Sequence, residues 1–263
     1  MAQTNQKNSP YPAFSTVFLV VLAAIMLNVF LKYAGGLGQN NSAEKAINEY
    51  AAENGFQRSD YPDEIVHLLK INDETKEFVL SYPSKIVNFR PDVIDFSQYQ
   101  GCTEPPLLMQ WDIRWGYMSY DGGVMGLKGS APTALSMAAI YVRQDVTLTP
   151  VHMAEMASNV NWESKPQKLL SDGARSLGMA VEELPRNDST IRQAVSEPGC
   201  SVVCLTDSKM FSPAIVIRGI DDEGKFLIND TLSKSRSEQS YSFEDFGSHL
   251  KKVWKYGNAS SKE

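Results

Sequence analysis

The chain has 263 residues, with 31 acidic side chains against 25 Lys and Arg, giving a formal net charge of −6. A composition of 43% hydrophobic, 10% aromatic and 21% charged residues excludes wholesale disorder, a collagen-like repeat and a multi-span membrane protein. The acidic balance argues against generic nucleic-acid binding, which needs a basic patch. Three cysteines are too few for a disulfide scaffold, and three histidines restrict the bases open to any acid–base site.

Residues 1–13 form a polar tail. Phe14 to Leu31 then reads FSTVFLVVLAAIMLNVFL, with no charge. As a helix it would be about 27 Å long, close to the roughly 30 Å hydrocarbon core of a bilayer. The run exceeds the usual h-region, and no small-residue cleavage site follows it. The expectation is a retained, single-pass signal-anchor over residues 14–33, with a cleaved signal peptide as the alternative. Lys7 precedes the segment and Lys32 and Lys45 follow it, so flanking charge does not set the orientation. Residues 34–42 (AGGLGQNNS over Ala34 to Ser42) are a glycine-rich linker. Gly35-Gly36-Leu37-Gly38 is not a nucleotide loop, because no strand precedes it.

The folded domain is expected over residues 43–257, with 43–106 as a helical lead-in, 107–257 as the core and 258–263 as a tail. Ala43 to Glu53 has a helix pattern closed by Asn54-Gly55. Asp60-Tyr61-Pro62 opens a second helix with an apolar face of Ile65, Val66, Leu68 and Leu69. Asn72-Asp73 caps a third, Glu74 to Leu80, which should stop before Pro83. A loop runs on to Pro106. Leu107 to Gln110 leads into an aromatic stretch with Trp111, Trp115, Tyr117 and Tyr120, and Asp121-Gly122-Gly123 is a turn. Gly129 to Val142 is small or aliphatic nearly all round, which predicts a buried helix, with Ser130 as its N-cap and Pro132 in its first turn. Helices follow at Thr149 to Ala157, Pro166 to Leu177 (stopped by Gly178) and Asp188 to Ser196.

The period then changes. Cys200 to Leu205, Ala214 to Arg218 and Phe226 to Ile228 read as strands, with a hairpin at Asp221 to Gly224. Ser242 begins a last helix to about Lys255, with Asp245 completing a near capping box. Helices followed by an antiparallel meander make an α+β arrangement. Cys200 and Cys204 would share one strand face about 13 Å apart, too far for a disulfide.

Four stretches in fixed order carry a resemblance: Gln110 to Tyr117, Gly129-Ser130-Ala131-Pro132-Thr133, Ile215 to Asp222, and Ile228-Asn229-Asp230. Together they resemble the papain-like cysteine peptidases related to the bacteriocin-leader (double-glycine) peptidases. Tyr61 to Glu64 and Glu77 to Pro83 resemble the helical lead-in of peptidase-like proteins of Gram-positive bacteria. The resemblance implies a papain-like cysteine peptidase fold, with a nucleophile at the start of a buried helix packed on an antiparallel sheet. Residue by residue, it puts Gln110 at the oxyanion position, Ser130 at the nucleophile position, Pro213 (or an immediate neighbour) at the histidine position and Asp230 at the orienting-acid position.

The chain departs from that pattern where the chemistry lies. A helix dipole lowers a thiol pKa, but a serine hydroxyl needs a base within hydrogen-bond reach, and proline has none. His67, His152 and His249 all fall on helix patterns away from the strand that would feed the site. The implied function is a membrane-anchored, cysteine-peptidase-like protein that has lost activity and binds a peptide or protein partner in its cleft. Two alternatives stand beside it: a working hydrolase using Ser130 with an unidentified base, and an interaction module with a collapsed cleft. Neither a cofactor nor a metal is expected, nor a nucleic-acid partner. The resemblance places the domain outside the cell.

Overall fold

The computed structural model describes residues 42–259, so the apolar run at 14–31 lies outside the described residues. No helix among the described residues is long and apolar enough to cross a membrane.

The chain opens with three helices: α1 (residues 42–54), α2 (Asp63–Ile71) and α3 (Lys76–Ile86). α1 stops where expected, at Gly55, whose φ of 76° suits glycine. α3 does not stop before Pro83 but runs through it to Ile86. Tertiary contacts override the proline here. Phe78 and Val79 are fully buried, the Tyr117 hydroxyl donates to the Phe78 carbonyl (3.0 Å) and the Tyr61 hydroxyl donates to the Leu80 carbonyl (2.9 Å). With neighbouring carbonyls held from outside the helix, one missing ladder bond is tolerated.

After an irregular stretch, β1 (Ser119–Tyr120) and β2 (Gly123–Val124) form a small hairpin. Its turn residues, Asp121 and Gly122, have φ of 49° and 70°, the left-handed pair that matches strand twist. A short helix, α4 (Met125–Lys128), leads into α5 (Ser130–Arg143), which is buried along almost its whole length. α6 (Pro150–Asn159) begins on the Thr149 side-chain cap. α7 comprises Pro166–Lys168, a π-helical turn Leu169–Gly173 and Ala174–Ser176.

The rest is mostly sheet: β3 (Met179–Glu183), α8 (Asp188–Val195), β4 (Ser201–Thr206), β5 (Ala214–Ile220), β6 (Phe226–Asp230), α9 (Lys234–Ser237), β7 (Ser240–Tyr241), α10 (Phe243–Phe246) and β8 (Leu250–Asn258). All six strands of this sheet pair antiparallel, in the order β3-β8-β4-β5-β6-β7. The architecture is α+β, as the sequence indicates.

The C-terminus corrects one expectation. The Ser242–Asp245 capping box is present, but its helix ends at Phe246, and Leu250 to Lys255 is strand rather than helix. β8 is an interior strand buried on both faces. Leu250 and Val253 join one core cluster, while Trp254 and Tyr256 join the other. Such a strand lacks clean polar alternation, so its apolar spacing mimics a helix until its partners are known. The same partnership creates β3, which carries no strand signal of its own.

The sheet separates two cores. α5, α6 and α7 cover one face, and α8 and α10 cover the other. A third cluster joins the lead-in helices to Trp111 and Tyr117. Phe78 is its hinge, stacked on Tyr117 at 4.7 Å between ring centroids. A Cβ on Gly126 would lie 2.3 Å from Phe78 Cζ, with neither atom on a flexible arm. Gly126→Ala should therefore force the lead-in away from the core and destabilise the fold by about 1–3 kcal/mol. Urea unfolding of the variant beside the parent protein measures this, and an unchanged midpoint would refute the close packing.

Candidate functional site

Of the four positions singled out in the sequence, Ser130 and Gln110 meet through Thr231 at the junction of α5, β5 and β6, Asp230 lies beside them at the end of β6, and Pro213 is exposed at the start of β5. Ser130 is the first residue of α5; Gly129, not Ser130, occupies the N-cap. The serine hydroxyl does not turn back to cap its own helix. It accepts a hydrogen bond from the Ala214 amide at 2.8 Å and lies 3.1 Å from the Ala214 carbonyl, to which it can donate. The N-terminus of the buried helix is thus fastened to the first residue of β5.

Gln110 reaches the same point from the other side. Its Nε2 donates to the Gly126 carbonyl at 3.0 Å, and its backbone amide donates to the Thr231 carbonyl at 2.8 Å. Its Oε1 accepts from Thr231 Oγ1 at 2.9 Å, and that hydroxyl oxygen lies 3.1 Å from Ser130 Oγ. Gln110, Thr231, Ser130 and the Ala214 peptide therefore form one buried polar chain. Thr231 is the member that sequence reasoning missed. Its only signal was adjacency to Asp230, and its role depends on how the chain turns after β6.

Asp230 is fully buried and fully engaged. Oδ2 accepts from Arg236 Nε at 2.7 Å and from the Ser212 amide at 3.4 Å, and Oδ1 accepts from the Leu232 amide at 2.8 Å. Pro213 is exposed, and its carbonyl accepts from Thr206. Its neighbour Ser212 is the buried one, 1% exposed, and donates to the same Ala214 carbonyl at 2.7 Å that Ser130 Oγ approaches.

All three histidines are exposed, and none bonds to a site residue among the described residues. His249 instead sits 3.4 Å from Asp207. Trp111, Trp115, Tyr117 and Tyr120 are all buried and belong to the core. The three cysteines are free, and burial pushes the Cys204 thiol well up. With Gln110, Ser130 and Asp230 only 3%, 4% and 0% exposed, no solvent-open cleft joins them.

The segment after β6 acts as a strap across this junction. The Leu232 carbonyl accepts from Asn72 Nδ2 at 2.6 Å and from Trp111 Nε1 at 2.7 Å. The Glu74 carboxylate accepts from Ser233 Oγ (2.7 Å), Ser235 Oγ (2.6 Å) and the amides of Lys234 (2.6 Å) and Ser235 (3.2 Å). Burial by itself would raise the Glu74 pKa, but the bonds from Ser235, Ser233 and the two amides outweigh it and hold the carboxyl below its ordinary value. The lead-in helices thus reach over and tie down the chain that covers Ser130.

The chain matches no protein-family model, no curated protein and no solved structure.

Two predictions follow from these bonds. Ser130→Ala strands the buried Ala214 amide and should cost about 1–3 kcal/mol in urea unfolding; a serine idle in an open site would cost almost nothing. Glu74 stabilises the fold above the carboxylate pKa of the unfolded chain, and this contribution is lost as pH falls through its depressed folded value. Glu74→Gln should thus be less stable than the parent at neutral pH, with the gap narrowing on acidification. A pH-independent gap would show that the carboxylate charge is not what holds the strap.

Proposed function

We propose that this protein is a non-catalytic, papain-like peptidase homologue, held at a membrane by residues 14–33, in which the former catalytic positions serve as a structural joint. The observation that carries the reading is the environment of Ser130 Oγ. Its partners are a backbone peptide group and the Thr231 hydroxyl, none of which can take a proton from it. A buried helix whose N-terminus abuts adjacent antiparallel strands, with Gln110 and Asp230 at the same junction, supports the papain-like part. The uncharged run from Phe14 to Leu31 supports the anchor. The protein then acts by binding a peptide or protein partner on its outer surface, since the strap and the Asp230–Arg236 pair close the ancestral cleft.

The test uses the full chain in mild detergent. A fluorophosphonate probe should leave Ser130 unlabelled, and peptide libraries should remain uncut. Labelling that Ser130→Ala abolishes would overturn the reading in favour of a working hydrolase. Because the junction is closed to solvent, Ser130→Cys should resist alkylation in the folded protein, with or without Ser212→His. Rapid alkylation of either variant would mean an open cleft and would overturn the reading of a sealed joint.

A further inference from the structure

The surface away from this junction carries a feature that neither the core nor the site accounts for. Residues 87–96 run irregularly from the end of α3, and the peptide groups of Arg90 to Ile94 make no hydrogen bond within the described residues. The segment stands up as a ridge. Val93 at its crest is fully exposed (102%), and Ile113, 40% exposed, lines a groove with it. Phe89, Ile94 and Phe96 pack inward against the core, so the segment is anchored from below while Val93 stands in solvent.

A groove of about 600 Å³ and one of about 520 Å³ share Asp92 to Asp95 and no other lining residue, so the segment divides them. The first is floored by Ile94, Phe96, Val146 and Val151, and its far wall carries Glu155 and His152 but no Lys or Arg. The second is walled by Lys85, Arg90 and Arg114. Asp92 and Asp95, on the ridge itself, border both. Arg114 is paired with Asp112, whereas Lys85, Arg90, Asp92, Asp95 and Glu155 take part in no ion pair among the described residues.

We propose that this ridge is the two-fold interface of a homodimer, with a second copy of the chain as its occupant. The argument is one of charge and symmetry. A two-fold axis lying along the ridge exchanges its left and right sides, so the acidic wall of each copy faces the basic wall of the other. The apolar crests meet between them. One rotation satisfies both grooves at once, as an isologous contact requires. An unrelated ligand would need an apolar centre flanked by a basic arm on one side and an acidic arm on the other. The inference uses neither the Ser130 junction nor the apolar N-terminal run, so it stands or falls apart from the functional reading.

The experiment is sedimentation equilibrium of the full chain in a neutral detergent matched to the solvent in density. At low ionic strength the protein should dimerise, and raising salt from about 50 to about 500 mM should weaken the dimer roughly tenfold or more, since its charges sit at the surface. Val93→Lys should abolish the dimer at both salts. Lys85→Glu with Arg90→Glu should be monomeric, and so should Asp92→Lys with Glu155→Lys. An equimolar mixture of these two double variants should dimerise again, because one now offers two acidic walls and the other two basic ones. That rescue also shows that each variant is folded. A parent chain that stays monomeric at low salt would overturn the proposal. So would a dimer that persists in Val93→Lys and in both charge variants, or a mixture that fails to re-associate.

Discussion

The contact between Ser130 Oγ and the Ala214 peptide group joins the helical half of this molecule to its sheet. α5 is buried almost throughout, so its N-terminal amides have little access to water, and its first residue must be fixed by protein groups. The serine does this by bonding to the start of β5, and Thr231 and Gln110 extend the same polar chain to the turn after β6 and to the segment before the hairpin. In a low-dielectric interior such a chain is valuable only when every member is satisfied. That requirement ties together the end of β6, the position of Gln110 and the approach of Gly126 to Phe78.

This arrangement bears directly on chemistry. A nucleophile must keep a lone pair free for substrate and a base near its proton. Here both hydroxyl functions are absorbed by structure, and the Asp230 carboxylate is paired with Arg236. Asp230 is fully buried, so its charge needs that partner, and a carboxylate held this way is committed to structure. The strap from Thr231 to Ser237 completes the closure. It is held from outside by Asn72 and Glu74 of the lead-in and by Trp111. The lead-in helices are therefore part of the device that seals the junction as well as an added packing layer.

Residues 87–96 are the irregular crossing between the lead-in and the core; Phe89, Ile94 and Phe96 pack inward while Val93 stays in water. The same topology that puts the lead-in over the strap leaves this crossing on the outside.

Much of the architecture was legible in the sequence because it is local. Helix stops at Gly55 and Gly178, the left-handed turn at Asp121-Gly122, the small-residue pattern of α5 and the aliphatic runs of β4 to β6 all follow from conformational preference and periodicity. The resemblance singled out Gln110 and Ser130, which meet through Thr231 in the structure. What only the tertiary structure decided was anything set by a distant partner. Pro83 stays helical because Tyr61 and Tyr117 support the carbonyls beside it. Leu250 to Lys255 is strand because β3 and β4 supply its hydrogen bonds. Ser212 rather than Pro213 is buried at the junction because its hydroxyl meets the Ala214 carbonyl, a contact set by how the chain enters β5. Thr231 joins the site because the chain turns back after β6. In each case the sequence contains the residue, but the hydrogen-bond partner that fixes its role lies far along the chain.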